Sequence, residues 1–307
     1  MSNSTSNHTP GAAAKKVTAP AVQARKGGQK LTMVTAYDFP GGKVADQAGA
    51  DMILVGDSVA NVVLGYETTN EVTLDDMIHH TAAVARSRPR ALLIGDMPWM
   101  SFHVNPDETL HNAARLVREG GAEAVKLEGG AERVEMIHKI RSAEIPVMGH
   151  IGLTPQSVHS MGGYRVMGRG LDDARRLVGD ARALDAAGVF ALVLEGVPVT
   201  LAQVITEEVS APTIGIGAGP HTDGQVLVMH DLLGFNFGHY PKFVRRYADL
   251  ADEATGAITE WISDVRAGGF PTDAESYHMV QASAEQLLAE HRERRLKADG
   301  PELRAIP

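Results

Sequence analysis

Four acidic side chains stand at the ends of four similar apolar runs: Asp57 closes residues 51–56, Asp96 closes 91–95, Glu128 closes 124–127 and Glu195 closes 190–194. Ser58 follows the first acid, and Lys126 interrupts the third run. Carboxylates at the ends of buried strands are costly unless a cation or hydrogen bonds compensate their desolvation. Any one of them could instead cap a helix or pair with a surface base. Four together point to a site built around positive charge. The chain has no cysteine, so the donors are oxygens, which suit a hard cation such as magnesium; thirteen histidines leave zinc open. His79 and His80 fall within a helical pattern, where a surface or capping role is expected.

Acids spread over about 140 residues need a scaffold that brings the run ends together. The runs read as strands buried on both faces. Residues 31–36, 146–150 and 212–216 add three more. Helix signals alternate with them. Thr73 and Asp76 make a capping box before residues 74–85, Asn105-Pro106-Asp107-Glu108 opens the next helix, and Gly120-Gly121 closes it. Further helices are expected over 132–141, 172–188 and 201–209; Pro40 and two glycines weaken one over 41–48. The eighth strand–helix unit, around 232–266, is the least legible. This alternation predicts a single (β/α)8 barrel with parallel strands, with an open doubly wound sheet as the alternative. In a barrel the strand-end acids would gather on the C-terminal face, where barrel active sites lie.

Composition narrows the function class. The 307 residues are 44% hydrophobic and 22% charged, with a net charge of -9 and no basic stripe, which argues against nucleic acid or an anionic membrane as partner. A small-molecule enzyme suits this balance. Without a signal-peptide core or a long apolar span, a cytoplasmic location is expected. The domain plan reads as a disordered tail over 1–28, broken by one or two helical turns before Gly27-Gly28, a barrel over 29–278, and a charged helical extension over 279–307.

Six motifs then carry a resemblance: Val-Gly-Asp-Ser at 55–58, Val-Lys-Leu-Glu-Gly-Gly at 125–130, Gly-His-Ile-Gly-Leu-Thr-Pro-Gln-Ser at 149–157, Gly-Gly-Tyr-Arg-Val-Met-Gly-Arg at 162–169, Leu-Glu-Gly-Val-Pro at 194–198 and Gly-Ile-Gly-Ala-Gly at 215–219. In this order they resemble ketopantoate hydroxymethyltransferase, from about residue 31 to about residue 278. The resemblance implies a barrel of the phosphoenolpyruvate mutase/isocitrate lyase-like superfamily. It further implies a magnesium-dependent transfer of a hydroxymethyl group from methylene-tetrahydrofolate to α-ketoisovalerate, giving ketopantoate for pantothenate and coenzyme A synthesis. Carried over residue by residue, Asp57 and Asp96 look like metal ligands that also meet substrate, with Glu128 beside the metal through water. Ser58 and Lys126 would hold the keto-acid, Glu195 would be the general base, and His150 a supporting contact. A homo-oligomer is implied as well, with a decamer among the sizes a ring of dimers allows.

Two rival readings stand beside this one: a related magnesium-dependent α-keto acid carbon–carbon lyase, which the absence of cysteine disfavours, and a non-catalytic keto-acid-binding paralogue. Asn70-Glu71 stand where the family usually has a Leu-Pro pair. Gly215-Ile216-Gly217-Ala218-Gly219 looks like a dinucleotide loop, but Pro220 follows it in place of a helix, so a tight turn after a strand is expected. The glycine-rich stretch 162–170 reads either as a mobile loop able to close over the site or as a plain surface loop.

Overall fold

The structure is a computed structural model and describes residues 15–298. The ends expected as tails, 1–14 and 299–307, lie outside the described residues. Eight strands follow in chain order: β1 (Leu31–Thr35), β2 (Met52–Val55), β3 (Leu92–Asp96), β4 (Ala124–Glu128), β5 (Val147–Gly152), β6 (Ala191–Glu195), β7 (Thr213–Ile216) and β8 (Gly224–Leu227). Each pairs in parallel with the next, and β8 closes onto β1 through Leu31–Gly224 to Val34–Leu227. The closed barrel excludes the open sheet.

The helices are α1 (Ala19–Gln23), α2 (Phe39–Gln47), α3 (Val59–Val62), α4 (Leu74–Ala85), α5 (Pro106–Arg118), α6 (Val134–Arg141), α7 (Val158–Met161), α8 (Leu171–Ala187), α9 (Val199–Glu208), α10 (Met229–Leu232), α11 (Leu250–Ala267) and α12 (Gln281–Ala298). The expected caps form: Thr73 and Asp76 make the capping box of α4, and the Asn105 side chain accepts from the Glu108 N–H at α5. Pro40 does not weaken α2. It lies in the first turn, where its missing N–H is no loss, and the Asp38 side chain caps the helix by accepting from the Gly41 N–H.

Period-two alternation along the strands sorts the core into two layers. Met52 and Leu54, Leu92 and Ile94, Ala191 and Val193, and Ile214 and Ile216 fill the barrel, while Ile53, Val55, Leu93, Val125, Leu127, Leu192 and Leu194 pack under the helices. Continuing the inward parity to the strand ends gives Asp96, Lys126, Glu128, His150 and Glu195. Alternation alone therefore aims these polar groups into the barrel mouth.

Three expectations need correction. Residues 15–28, read as the end of a disordered tail, are ordered: Val22 of α1 is fully buried, and the Lys16 ammonium donates to the carbonyls of Pro89 and Ala91. The eighth unit begins before 232, because β8 is only four residues long, and its half-exposed pattern hides it among glycines and a proline. The described residues also fall into two compact units divided between Asp249 and Leu250, whereas the sequence reading extended the barrel domain to 278. In the second unit α11 buries no residue of its own and leaves Ile258, Trp261 and Val265 exposed, and α12 is strongly charged.

The end of the barrel opposite the strand-end acids is tied by Asp223, whose buried carboxylate accepts from Lys26 Nζ at 2.9 Å, from the Gly27 N–H at 2.9 Å and from the Thr213 N–H at 2.8 Å. Burial opposes ionisation, but these donors and the Lys26 charge outweigh it and hold the carboxyl below its ordinary value. A depressed carboxyl adds stability above the ordinary aspartate range, and that stability is lost as pH falls through the depressed value. Asp223→Asn is therefore expected to cost about 2 to 3 kcal/mol at neutral pH, with the gap to the parent narrowing below about pH 4. Urea unfolding at pH 7 and pH 3 checks this; an equal gap at both would place the effect elsewhere.

Candidate active site

The mouth of the barrel opens into a cleft of about 1530 Å³ lined by Asp57, Ser58, Asp96, Lys126, Glu128, His150 and Glu195 among others. All seven residues singled out from sequence thus meet in one place, within the first unit. Parallel strands hand them there because each strand ends at the same rim, and short loops begin immediately after.

Charge balance dominates the geometry. Lys126 Nζ stands 2.7 Å from both carboxylate oxygens of Asp96 and 4.0 Å from Glu128 Oε1. Burial alone would lower the Lys126 ammonium, but Asp96, Glu128 and Asp57 together hold it well above its ordinary value, so it stays charged. Asp57 shows the opposite balance: burial, then the charges of Asp96 and Glu128, push its carboxyl well up, and Lys126 and Gln156 offset this only in part. Asp96 is also raised, through burial and Glu128, against the pull of Lys126. Two carboxyls pushed up side by side gain from any added cation.

His150 links the two remaining acids. Its Nδ1 lies 3.3 Å from Glu128 Oε1 and its Nε2 lies 3.3 Å from Glu195 Oε2, contacts too poorly aligned to count as full hydrogen bonds. Burial and the Lys126 charge would lower the imidazole, yet the flanking Glu128 and Glu195 push it up to about 9, so it carries a proton near neutral pH. Against its burial, Glu128 is held below its ordinary value by His150, Lys126 and the Gln156 N–H. The Glu195 side chain, 17% exposed, faces the open cleft more than the others.

Sequence reasoning passed over two residues here. Gln156, in the quoted 149–157 motif but given no role, is buried; its Nε2 donates to Asp57 Oδ2 at 2.9 Å and to the Met97 carbonyl at 3.0 Å. The proline that starts its 3-10 turn (Pro155–Ser157) was the local signal that this backbone is held rigidly. Tyr37, after β1, shares a 2.8 Å hydroxyl–hydroxyl hydrogen bond with Ser58 and so orients it. Nothing in the sequence near Tyr37 marks it.

Three other stretches singled out from the sequence take defined places. Gly215 and Ile216 end β7, and Gly217–Gly219 turn away from it toward β8, with Gly217 and Gly219 at φ +63° and +79°. Asn70-Glu71 belong to a short 3-10 turn, Thr69–Glu71, in which Glu71 Oε1 accepts from the N–H groups of Glu67 and Thr68. The loop 162–170 is anchored by the Met167 N–H on the Gly196 carbonyl, and Tyr164, Arg165 and Val166 line the cleft.

The Pantoate_transf family model, described as ketopantoate hydroxymethyltransferase, matches residues 16–273. The chain belongs to the ketopantoate hydroxymethyltransferase family. It is 56% identical over 260 residues to the 3-methyl-2-oxobutanoate hydroxymethyltransferase of Koribacter versatilis, covering 84% of this chain and 88% of that one. The enzyme of the same name from Pelobacter propionicus is 52% identical over 265 residues, covering 86% and 98%. Solved structures of phosphonopyruvate hydrolase (TM-score 0.55, 16% identity, covering 92% of this chain and 99% of that one) and 2,3-dimethylmalate lyase (0.53, 16%, 92% and 98%) share the barrel. At that identity they establish the fold alone. The family assignment leaves the site chemistry to be argued from this chain's own residues.

Proposed function

We propose that the chain transfers a hydroxymethyl group from methylene-tetrahydrofolate to α-ketoisovalerate, forming ketopantoate for pantothenate and coenzyme A synthesis. The observation that carries this reading is the gathering of Glu195, Lys126 and three further carboxylates around the mouth of one barrel end, in a chain of this family. Lys126 and Ser58 bind the keto-acid: the ammonium supplies a fixed positive charge to its anionic oxygens, and the hydroxyl, oriented by Tyr37, donates to them. Glu195 removes the proton on the carbon beside the ketone, and that carbon then bonds to the methylene carbon of the folate; both C–N bonds of the methylene break, water supplies the hydroxyl oxygen, and tetrahydrofolate leaves with its two nitrogens protonated. His150 positions Glu195 from its buried side.

Among the described residues no three His, Cys, Asp or Glu side chains are grouped as a metal site, and the Lys126 ammonium sits on Asp96. The donor set still fits magnesium: Asp57 and Asp96 are crowded, buried oxygen ligands raised by their surroundings, and Glu128 Oε1 has no hydrogen-bond partner. We assign magnesium to Asp57 and Asp96, with Glu128 reached through water. When bound it would supply positive charge where the substrate oxygen becomes negative.

Incubation with α-ketoisovalerate, methylene-tetrahydrofolate and magnesium should yield ketopantoate, identified by mass spectrometry. A folded, magnesium-loaded protein that makes none would end this reading. No described helix is long and apolar enough to cross a membrane. The cytoplasmic location forms part of the proposal, to be checked by cell fractionation. So does a homo-oligomer: the exposed Ile258, Trp261 and Val265 of α11 suit a second copy of the chain. Sedimentation should give a mass above 32.7 kDa at micromolar concentration, and a monomer would refute it.

A further inference from the structure

The cleft has a second half whose chemistry differs from its acidic floor. After β8 the chain builds a wall over the barrel mouth bearing Phe235, Phe237 and Phe243, which are 40%, 84% and 37% exposed and all line the cleft. Exposed apolar side chains scattered singly need no account, but three phenylalanines around one cleft do. The wall is held by its own hydrogen bonds. The Phe235 N–H donates to the His230 carbonyl at 2.8 Å, Asn236 Nδ2 donates to Asp231 Oδ1 at 2.6 Å, and the Tyr240 hydroxyl donates to the Asn236 carbonyl at 2.8 Å. Phe243 lies so close over Gly217 that a Cβ there would meet its ring at 2.7 Å, which only glycine, already at positive φ, avoids.

Two cations also join the lining, alongside the acids Glu67 and Asp231. Lys242 beside Phe243, and Arg165 in the 162–170 loop, line the cleft from exposed positions, and neither takes part in an ion pair among the described residues. In a chain of net charge -9 two cations without ion-pair partners at one cleft are a local feature. Size points the same way. A drug-sized ligand occupies pockets of roughly 300–1,000 Å³, so a five-carbon keto-acid leaves most of this 1530 Å³ cleft open.

We propose that Phe235, Phe237 and Phe243 are the stacking wall for the flat rings of methylene-tetrahydrofolate, and that Lys242 and Arg165 hold the carboxylates of its glutamate tail. The inference rests on the function proposed above and assigns its second substrate. The reacting one-carbon unit must reach the carbon beside Glu195, so the ring end points to the acidic floor. The anionic tail then points outward, to the rim where Lys242 and Arg165 stand. A tail of several glutamates would engage both cations, and the site should prefer it to a single glutamate.

The test compares the parent with Lys242→Gln, Arg165→Gln and Lys242→Arg, using monoglutamyl and pentaglutamyl methylene-tetrahydrofolate. Each Gln variant is expected to raise the KM for the folate about tenfold, the loss of one charge-assisted contact, and to erase the advantage of the longer tail. The KM for α-ketoisovalerate should hold, and Lys242→Arg should restore folate binding. Unchanged folate KM in both Gln variants, or a rise in the keto-acid KM instead, overturns the inference. Folate-independent proton exchange of α-ketoisovalerate separates the two levels of the argument. A parent that exchanges but makes no ketopantoate defeats the function itself, whereas a productive parent with indifferent variants defeats only the folate assignment.

Discussion

Glu195→Gln is expected to bind magnesium and α-ketoisovalerate normally and yet to exchange the proton beside the ketone for deuterium about two to four decades more slowly than the parent. The amide keeps the carboxylate's size and its place beside His150 Nε2 but cannot accept the proton. Of the carboxylates at the barrel mouth, Asp96 is engaged by Lys126, Asp57 by Gln156, and Glu128 by the Gln156 N–H and His150. Glu195 touches only His150 in this cluster and is turned toward the open cleft, where a substrate carbon can approach it. Exchange followed by NMR, with calorimetric binding of the keto-acid, separates binding from chemistry. Parental exchange by Glu195→Gln would move the base elsewhere.

The second large effect divides two aspartates that look equivalent in sequence. Repulsion between carboxylates suggests that removing either one should relax the metal-free site. For Asp57 this holds: burial and neighbouring acids push its carboxyl up, so Asp57→Asn should abolish magnesium-dependent activity while raising the melting temperature of the metal-free protein. For Asp96 it fails. Asp96 accepts from a buried ammonium at 2.7 Å through both oxygens, and the next nearest acid to Lys126 Nζ, Glu128, is 4.0 Å away. Asp96→Ala therefore strands a buried charge, a loss of about 3 to 5 kcal/mol. Thermal and urea unfolding in chelator compares the two variants directly. If both destabilise equally, the charge balance described for the site is wrong.

Much of the site was legible before any folding because its logic is local. A strand in a parallel barrel is buried on both faces, so it appears as an uninterrupted apolar run, and the acid that ends each run stands out against it. That is why Asp57, Asp96, Glu128 and Glu195 could be named from their runs, and seven of the eight strands with them. β8 escaped because four residues with Gln225 exposed carry neither a long run nor a clean alternation. The domain boundary escaped for a related reason: the composition does not change between Asp249 and Leu250.

Tertiary structure decided the relations between residues far apart in the chain. Gln156 and Asp57 are 99 positions apart, and no pattern near either one announces their hydrogen bond. The sequence lists Lys126 and four acids; which acid the ammonium neutralises follows only from the pairing of β3 with β4, which sets Asp96 beside Lys126. The aromatic wall is likewise a product of closure. Phe235, Phe237 and Phe243 look like ordinary loop residues until the chain after β8 brings all three to the cleft, with Phe243 across Gly217. Side-chain alternation and run length are short-range and survive in the sequence. Charge compensation and the shape of a cleft depend on distances between strands, and those exist only once the barrel has closed.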